Sequence, residues 1–218
     1  MKLFVRSLKK MEVERHMMTN GLILRTLQPE AAQSTLPEVL IIALFSASDG
    51  PGRAERLARQ WQPMVPGGEF LGIECEDLLR NINVATLQRI VAEGARARDL
   101  TPDQVLLLGL RKAGRSAVEL VLHGVLKVAG VIAYDIPLPV ASEPFQQSAA
   151  AFRLVQQPSS ADPTNIQFHA LVRRLQRQDI DVRAVILPDD ASYAGDMPMR
   201  AGSSFLIELV AKAIVKPR

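Results

Sequence analysis

The chain predicts a doubly wound α/β fold, a mostly parallel sheet between two layers of helices in a three-layer α/β/α arrangement. Three observations carry this. Continuous apolar runs with β-branched members, such as Glu38–Phe45 (EVLIIALF) and Gln104–Leu108 (QVLLL), read as strands buried on both faces. Between them lie segments whose apolar residues recur at three- and four-residue spacing, as helices that cover a sheet require. The two kinds of segment alternate along the chain, and right-handed crossovers between parallel strands place helices on both faces of the sheet.

The elements follow in order. Residues 1–36 alternate loosely around Gly21–Leu24 and read as a peripheral strand or hairpin; residues 37–218 form the main domain. The Glu38–Phe45 strand runs into a Gly/Pro loop over Ser46–Gly52, and a helix over Arg53–Val65 carries Leu57, Trp61 and Met64. Glu69–Glu74 is the next strand. A crossover helix spans Asp77–Ala97, with Leu87, Ile90 and Val91 on its apolar face and Gly94 as its stop signal. Gln104–Leu108 is a central strand, Gly109–Arg115 a sharp turn, and Ser116–Leu126 a helix. Strands over Val128–Tyr134, Ala151–Val155 and Val182–Leu187 alternate with a helix over Asn165–Gln178, and a helix over Ser204–Val215 ends the fold.

Composition excludes several functions. With 218 residues, 48% of them hydrophobic and 22% charged, the chain suits one well-buried core. The net charge of +3 is mild, and no Lys/Arg run stands beside an aromatic cluster, so nucleic acid is not an expected partner. The single cysteine, Cys75, excludes an intrachain disulfide, and the sequence shows no Cys/His spacing for a metal or cofactor. The N-terminus has no signal-peptide pattern and no apolar run approaches the ~20 residues of a membrane span. A cytoplasmic location is expected.

At Val105–Gly114, VLLLGLRKAG, the sequence resembles the strand, turn and helix that carry the G-x-S-x-G nucleophile of α/β-hydrolases. More narrowly it is similar to the phospholipase/carboxylesterase family that includes acyl-protein thioesterases, collinear from about Pro37 to Val215. Leu40–Gly52 resembles that family's first central strand and H-G-x-G oxyanion loop, Ser159–Pro163 its H-G-x-x-D-P acid loop, and Val185–Ser192 its L-P-x-x-G-H stretch. The resemblance implies an α/β-hydrolase fold, an acyl or small anionic ligand and, since members often dimerise, a homodimer.

Within that frame the departures are chemical. Arg111 stands at the serine position and Ser192 at the histidine position, so only Asp162 of the implied triad keeps its residue type. An arginine stays protonated and is no nucleophile, and an orienting acid without its histidine has no proton relay to direct. Phe45 and Ser46 replace His-Gly at the oxyanion loop. The resemblance therefore implies a degraded triad and a protein that binds a ligand or a partner rather than hydrolysing esters.

Other readings stay open. Gly109 to Ser116 also matches a P-loop with Arg115 in the lysine place and the strand ending in Asp135 as the magnesium strand. An active esterase with a displaced nucleophile, Ser46 with His169, is a further reading, as is an assembly subunit using an apolar patch around Phe205, Leu209 and Ile214. Arg111, Lys112 and Arg115 put cations at a helix start, where the macrodipole is already positive, so a negative group is expected nearby. Asp162 is the expected partner of Arg111, and Phe45, Ser46, Lys112 and Arg115 complete the candidate binding set. His16, His123, His169 and Cys75 read as packing or surface residues, Ser48 as a loop hydrogen-bonder and Asp189-Asp190 as a solvated acidic loop.

Overall fold

A computed structural model describes residues 16–19, 22–26, 38–46, 56, 58–75, 81–140, 145, 148–157, 163–187 and 196–215. Eight strands form one sheet in the order β1-β2-β4-β3-β5-β6-β7-β8. β1 (His16–Thr19) and β2 (Leu22–Thr26) are an antiparallel hairpin, and β2 pairs antiparallel with β4 (Gly68–Cys75). From β4 onward, through β3 (Val39–Phe45), β5 (Val105–Leu110), β6 (Gly130–Tyr134), β7 (Ala151–Gln156) and β8 (Val182–Ile186), every pairing is parallel. The fold class is the expected one, and the N-terminal hairpin extends this same sheet.

Side-chain alternation on the central strands builds two cores. Leu40, Ile42 and Leu44 of β3 and Val105 and Leu107 of β5 face one way, where they meet Leu87 and Val91 of α1 (Asn81–Arg96), Ala117 and Val121 of α2 (Arg111–Leu122) and Phe168 and Leu175 of α3 (Pro163–Arg177). Ile41 and Phe45 of β3 and Leu106, Leu108 and Leu110 of β5 face the other way, against Trp61 and against Leu206, Leu209 and Ala213 of α4 (Asp196–Val215). Burial on both faces is why these strands are continuous apolar runs rather than alternating ones. No helix among the described residues is long and apolar enough to cross a membrane.

Several boundaries differ from those the sequence suggests. The sharp turn expected over Gly109–Arg115 is shorter than that: β5 continues to Leu110 and α2 begins at Arg111, so the reversal takes one residue. Gly94 does not stop α1. It lies inside the helix, where an added Cβ would stand 3.2 Å from Leu40 Cδ2, and the chain leaves the helix at Asp99, which takes φ 56°. A short polar side chain tolerates this left-handed cap, a role usually given to glycine. Met64 lies in a 3-10 turn, Gln62–Met64, and is exposed rather than packed. α4 starts at Asp196, ahead of the expected Ser204. Phe205 and Leu209 are buried under it, so the apolar patch expected there reduces to exposed Ile207 and Ile214.

The β5–α2 junction sets the geometry of the carboxyl edge. A Cβ on Gly109 would lie 2.4 Å from Gly114 Cα, and one on Gly114 would lie 2.7 Å from the Gly109 carbonyl. Strand and helix therefore touch backbone to backbone, which only glycine permits. The chain makes this reversal within one residue by placing Arg111 at φ 47°.

One buried cation ties α4 to the far strands. Arg153 on β7 has no exposed side-chain surface; its guanidinium donates to Asp181 Oδ1 at 2.9 Å and to Glu208 Oε1 at 2.7 Å. Lys212 Nζ reaches the same two carboxylates at 2.8 and 3.2 Å. Burial alone would raise the Asp181 pKa, but hydrogen bonds from Arg153 and Lys212 hold it below the ordinary value; the Arg153 bond does the same for Glu208 against a smaller burial effect.

The glycine contact and the buried cation each make a measurable demand on stability. Gly109→Ala costs at least about 2 kcal/mol in urea unfolding because backbone must move, whereas Arg111→Gly is neutral to about 1 kcal/mol more stable and Arg111→Val is destabilised by about 1–2 kcal/mol. Arg153→Met costs about 2–3 kcal/mol, less than the ~3–5 kcal/mol of a fully buried orphaned charge because Lys212 remains. Since both carboxylates have lowered folded-state pKa values, their contribution is complete above their unfolded values near pH ~4 and is lost as the pH falls through the folded ones. The stability gap between wild type and Arg153→Met, read from urea midpoints, thus narrows only below about pH 4.

Candidate binding site at the carboxyl edge of the sheet

Ligands of open parallel sheets bind beyond the carboxyl ends of the strands, where loops diverge. In this chain that edge is formed by Phe45 at the end of β3 and Ser46 after it, Arg111 after β5, Asp135 after β6, Gln156 at the end of β7 and Gln157 after it, and Leu187 after β8. Leu110 and Tyr134 are register partners, so Arg111 and Asp135 follow at the same level on neighbouring strands. Both take positive φ, 47° and 44°. A left-handed residue at each strand end turns the chain sharply out of the sheet, and in Arg111 it delivers the chain directly into α2.

The candidate residues divide. Arg111 and Lys112 are exposed at the start of α2. Arg115 is turned along the helix to Glu119, with Nε 2.8 Å from Oε1, and this pair neutralises the third cation expected of the cluster. Ser116 is buried and donates from Oγ to the Lys112 carbonyl at 3.0 Å. Residues 111–116 are thus helix, with the serine hydroxyl engaged, and the P-loop reading has no loop in which to cradle phosphate. Phe45 is fully buried among the α4-side residues and does not line an open cleft; Ser46 beside it is half-buried. Asp162, Ser192, Ser48 and the Asp189-Asp190 pair lie outside the described residues, as do the side chains of His16 and Cys75.

Neither described imidazole approaches this edge as a base would. His123 caps the far end of α2 and meets the Phe145 ring edge-on at 5.9 Å; His169 is exposed on α3 beside Phe168. Ser46 and His169 are not hydrogen-bonded to each other. Among the described residues no three His, Cys, Asp or Glu side chains are grouped to hold a metal ion.

Asp135 enters the sequence reading only as the magnesium strand of the P-loop alternative, and Gln156, Trp61 and Tyr134 do not enter it as site candidates. Asp135 Oδ1 accepts the Gln157 backbone N–H at 2.6 Å, which ties the end of β6 to the end of β7, and no ion pair joins Asp135 to Arg111. Gln156 is buried, and its Oε1 has no hydrogen-bond partner. Trp61 Nε1 is likewise buried without a partner beside Tyr134, whose ring centroid is 6.4 Å away. Burial pushes the Tyr134 phenol far above its ordinary pKa, so it remains a neutral hydroxyl. The only signal for Asp135 in the sequence is its place at the end of an apolar strand; Gln156 shows none, because a polar residue closing a strand reads as the start of a loop.

Neither a family model nor a curated protein sequence matches the chain. Solved structures do. Esterase PE8 superposes with TM-score 0.65 at 20% identity, over 81% of this chain and 94% of that one. MGS-M1, an α/β hydrolase enzyme from a Medee basin deep-sea metagenome library, gives 0.63 at 13% identity over 93% and 97%. The Bacillus cereus carboxylesterase gives 0.55 at 12% identity over 88% and 93%. Sheet order, the parallel strands from β4 onward, the one-residue turn from β5 into α2 and these superpositions together establish that the chain adopts the α/β-hydrolase fold.

Proposed function

We propose that this protein is a pseudo-hydrolase of the phospholipase/carboxylesterase type, which retains the α/β-hydrolase architecture and acts by binding a small acyl or anionic ligand or a protein partner. The observation that carries the reading is Arg111. It occupies the first position of α2 after β5, at φ 47°, with its side chain exposed at the carboxyl edge. In the fold this junction presents the nucleophile. A guanidinium there attacks nothing, but it is a fixed cation with planar donors that match a carboxylate or phosphate. Exposed Lys112 adds charge of the same sign, which supports an anionic ligand over a neutral one.

The implied histidine position is Ser192, so restoring the nucleophile alone leaves it without a base. One cysteine in 218 residues supports a reducing, cytoplasmic setting. Catalysis by a displaced nucleophile is the second reading, favoured by the esterases among the superposable structures and by Ser46 at the end of β3. The two separate in one assay. Folded protein is expected to leave short-chain p-nitrophenyl esters unhydrolysed and to take no label from a fluorophosphonate serine probe, and Arg111→Ser is expected to change neither result. Turnover with stoichiometric labelling of the wild type would overturn the proposal and identify the displaced serine by peptide mapping.

A further inference from the structure

At the amino edge of the sheet, the end away from Arg111, a groove of about 470 Å³ runs between the last turns of α1 and the chain that leaves α2. Its volume lies within the ~300–1,000 Å³ usual for small-molecule sites. Its floor is aliphatic: Val91, Ala95, Leu100 and Leu126 line it, each no more than 8% exposed. Among the described residues no aromatic ring lines it. Gln88 Nε2 donates to the Val125 carbonyl at 2.7 Å, a bridge from α1 to the turn after α2 that holds the two walls at a set separation. Ala92 and Ala95, where longer side chains would fill the space, keep the groove open.

The charge at its mouth is unbalanced. Arg96 and Lys127 stand exposed on opposite walls, and among the described residues neither is in an ion pair. Among the described residues Asp99 is the only acidic one in the lining. Two cations against one carboxylate over an apolar floor complement a molecule with an aliphatic body and an anionic head. We infer that this groove is a second ligand site, for an aliphatic carboxylate, separate from the carboxyl-edge site and independent of whether the protein hydrolyses esters.

Calorimetric titration of the full chain with decanoate below its micellar range tests this, with 1-decanol as the neutral control. Saturable one-to-one binding of decanoate is expected. Ala92→Trp, a change on an exposed helical position, should abolish it by filling the groove, with helical circular dichroism confirming the fold. Arg96→Gln combined with Lys127→Gln should weaken decanoate about five-fold, the scale of two exposed ion pairs, and leave decanol unchanged. Absence of saturable binding overturns the inference. So does binding that Ala92→Trp or the double variant leaves untouched, since decanoate would then be held elsewhere, as at Arg111.

Discussion

The contact between Gly109 and Gly114 is the constraint on which the rest of this structure depends. Because β5 and α2 meet backbone to backbone, α2 lies flat against the centre of the sheet, and Ala113, Ala117 and Val121 share one core with Ile42 and Leu44 of β3. The same approach leaves one residue for the reversal, so that residue must take a left-handed conformation. In a hydrolase, a nucleophile in this position gains exposure and alignment at the cost of local strain. This chain makes its one-residue reversal with Arg111 at φ 47°, so it carries the same conformational cost.

Charge among the described residues is handled differently from helix to helix. Arg153, the one fully buried arginine among the described residues, directs its charge to Asp181 and Glu208 and so fastens α4 across β7 and β8. Arg115 is answered within its own helix by Glu119. Arg111 and Lys112 have exposed side chains at the carboxyl edge, and Asp135, level with Arg111 on the neighbouring strand, accepts the Gln157 amide.

The architecture was legible in the residues to a large extent. Apolar runs at β3 and β5, helical spacing in α1 and α3, and their alternation specify a two-sided parallel sheet, because a strand buried on both faces cannot alternate with polar residues. Helix ends were less legible: Gly94 carries the composition of a stop signal but serves packing against Leu40, and Asp99 makes the stop through its backbone. The apolar stretch Phe205–Val210 reads equally as a surface patch or a core face, and burial of Phe205, Leu206 and Leu209 against the second face of the sheet resolves it.

From the order of its residues alone the chain prescribes a doubly wound sheet, since apolar runs and helical spacing are local patterns. Three-dimensional packing supplies what no local pattern carries: the left-handed Arg111 and Asp135 level with each other on adjacent strands, Ser116 and Arg115 withdrawn from any phosphate, and an aliphatic groove between Ala92 and Leu126. Each of these joins residues distant in the chain or depends on how closely two backbones approach, and such distances are settled when the sheet and its helices close on one another.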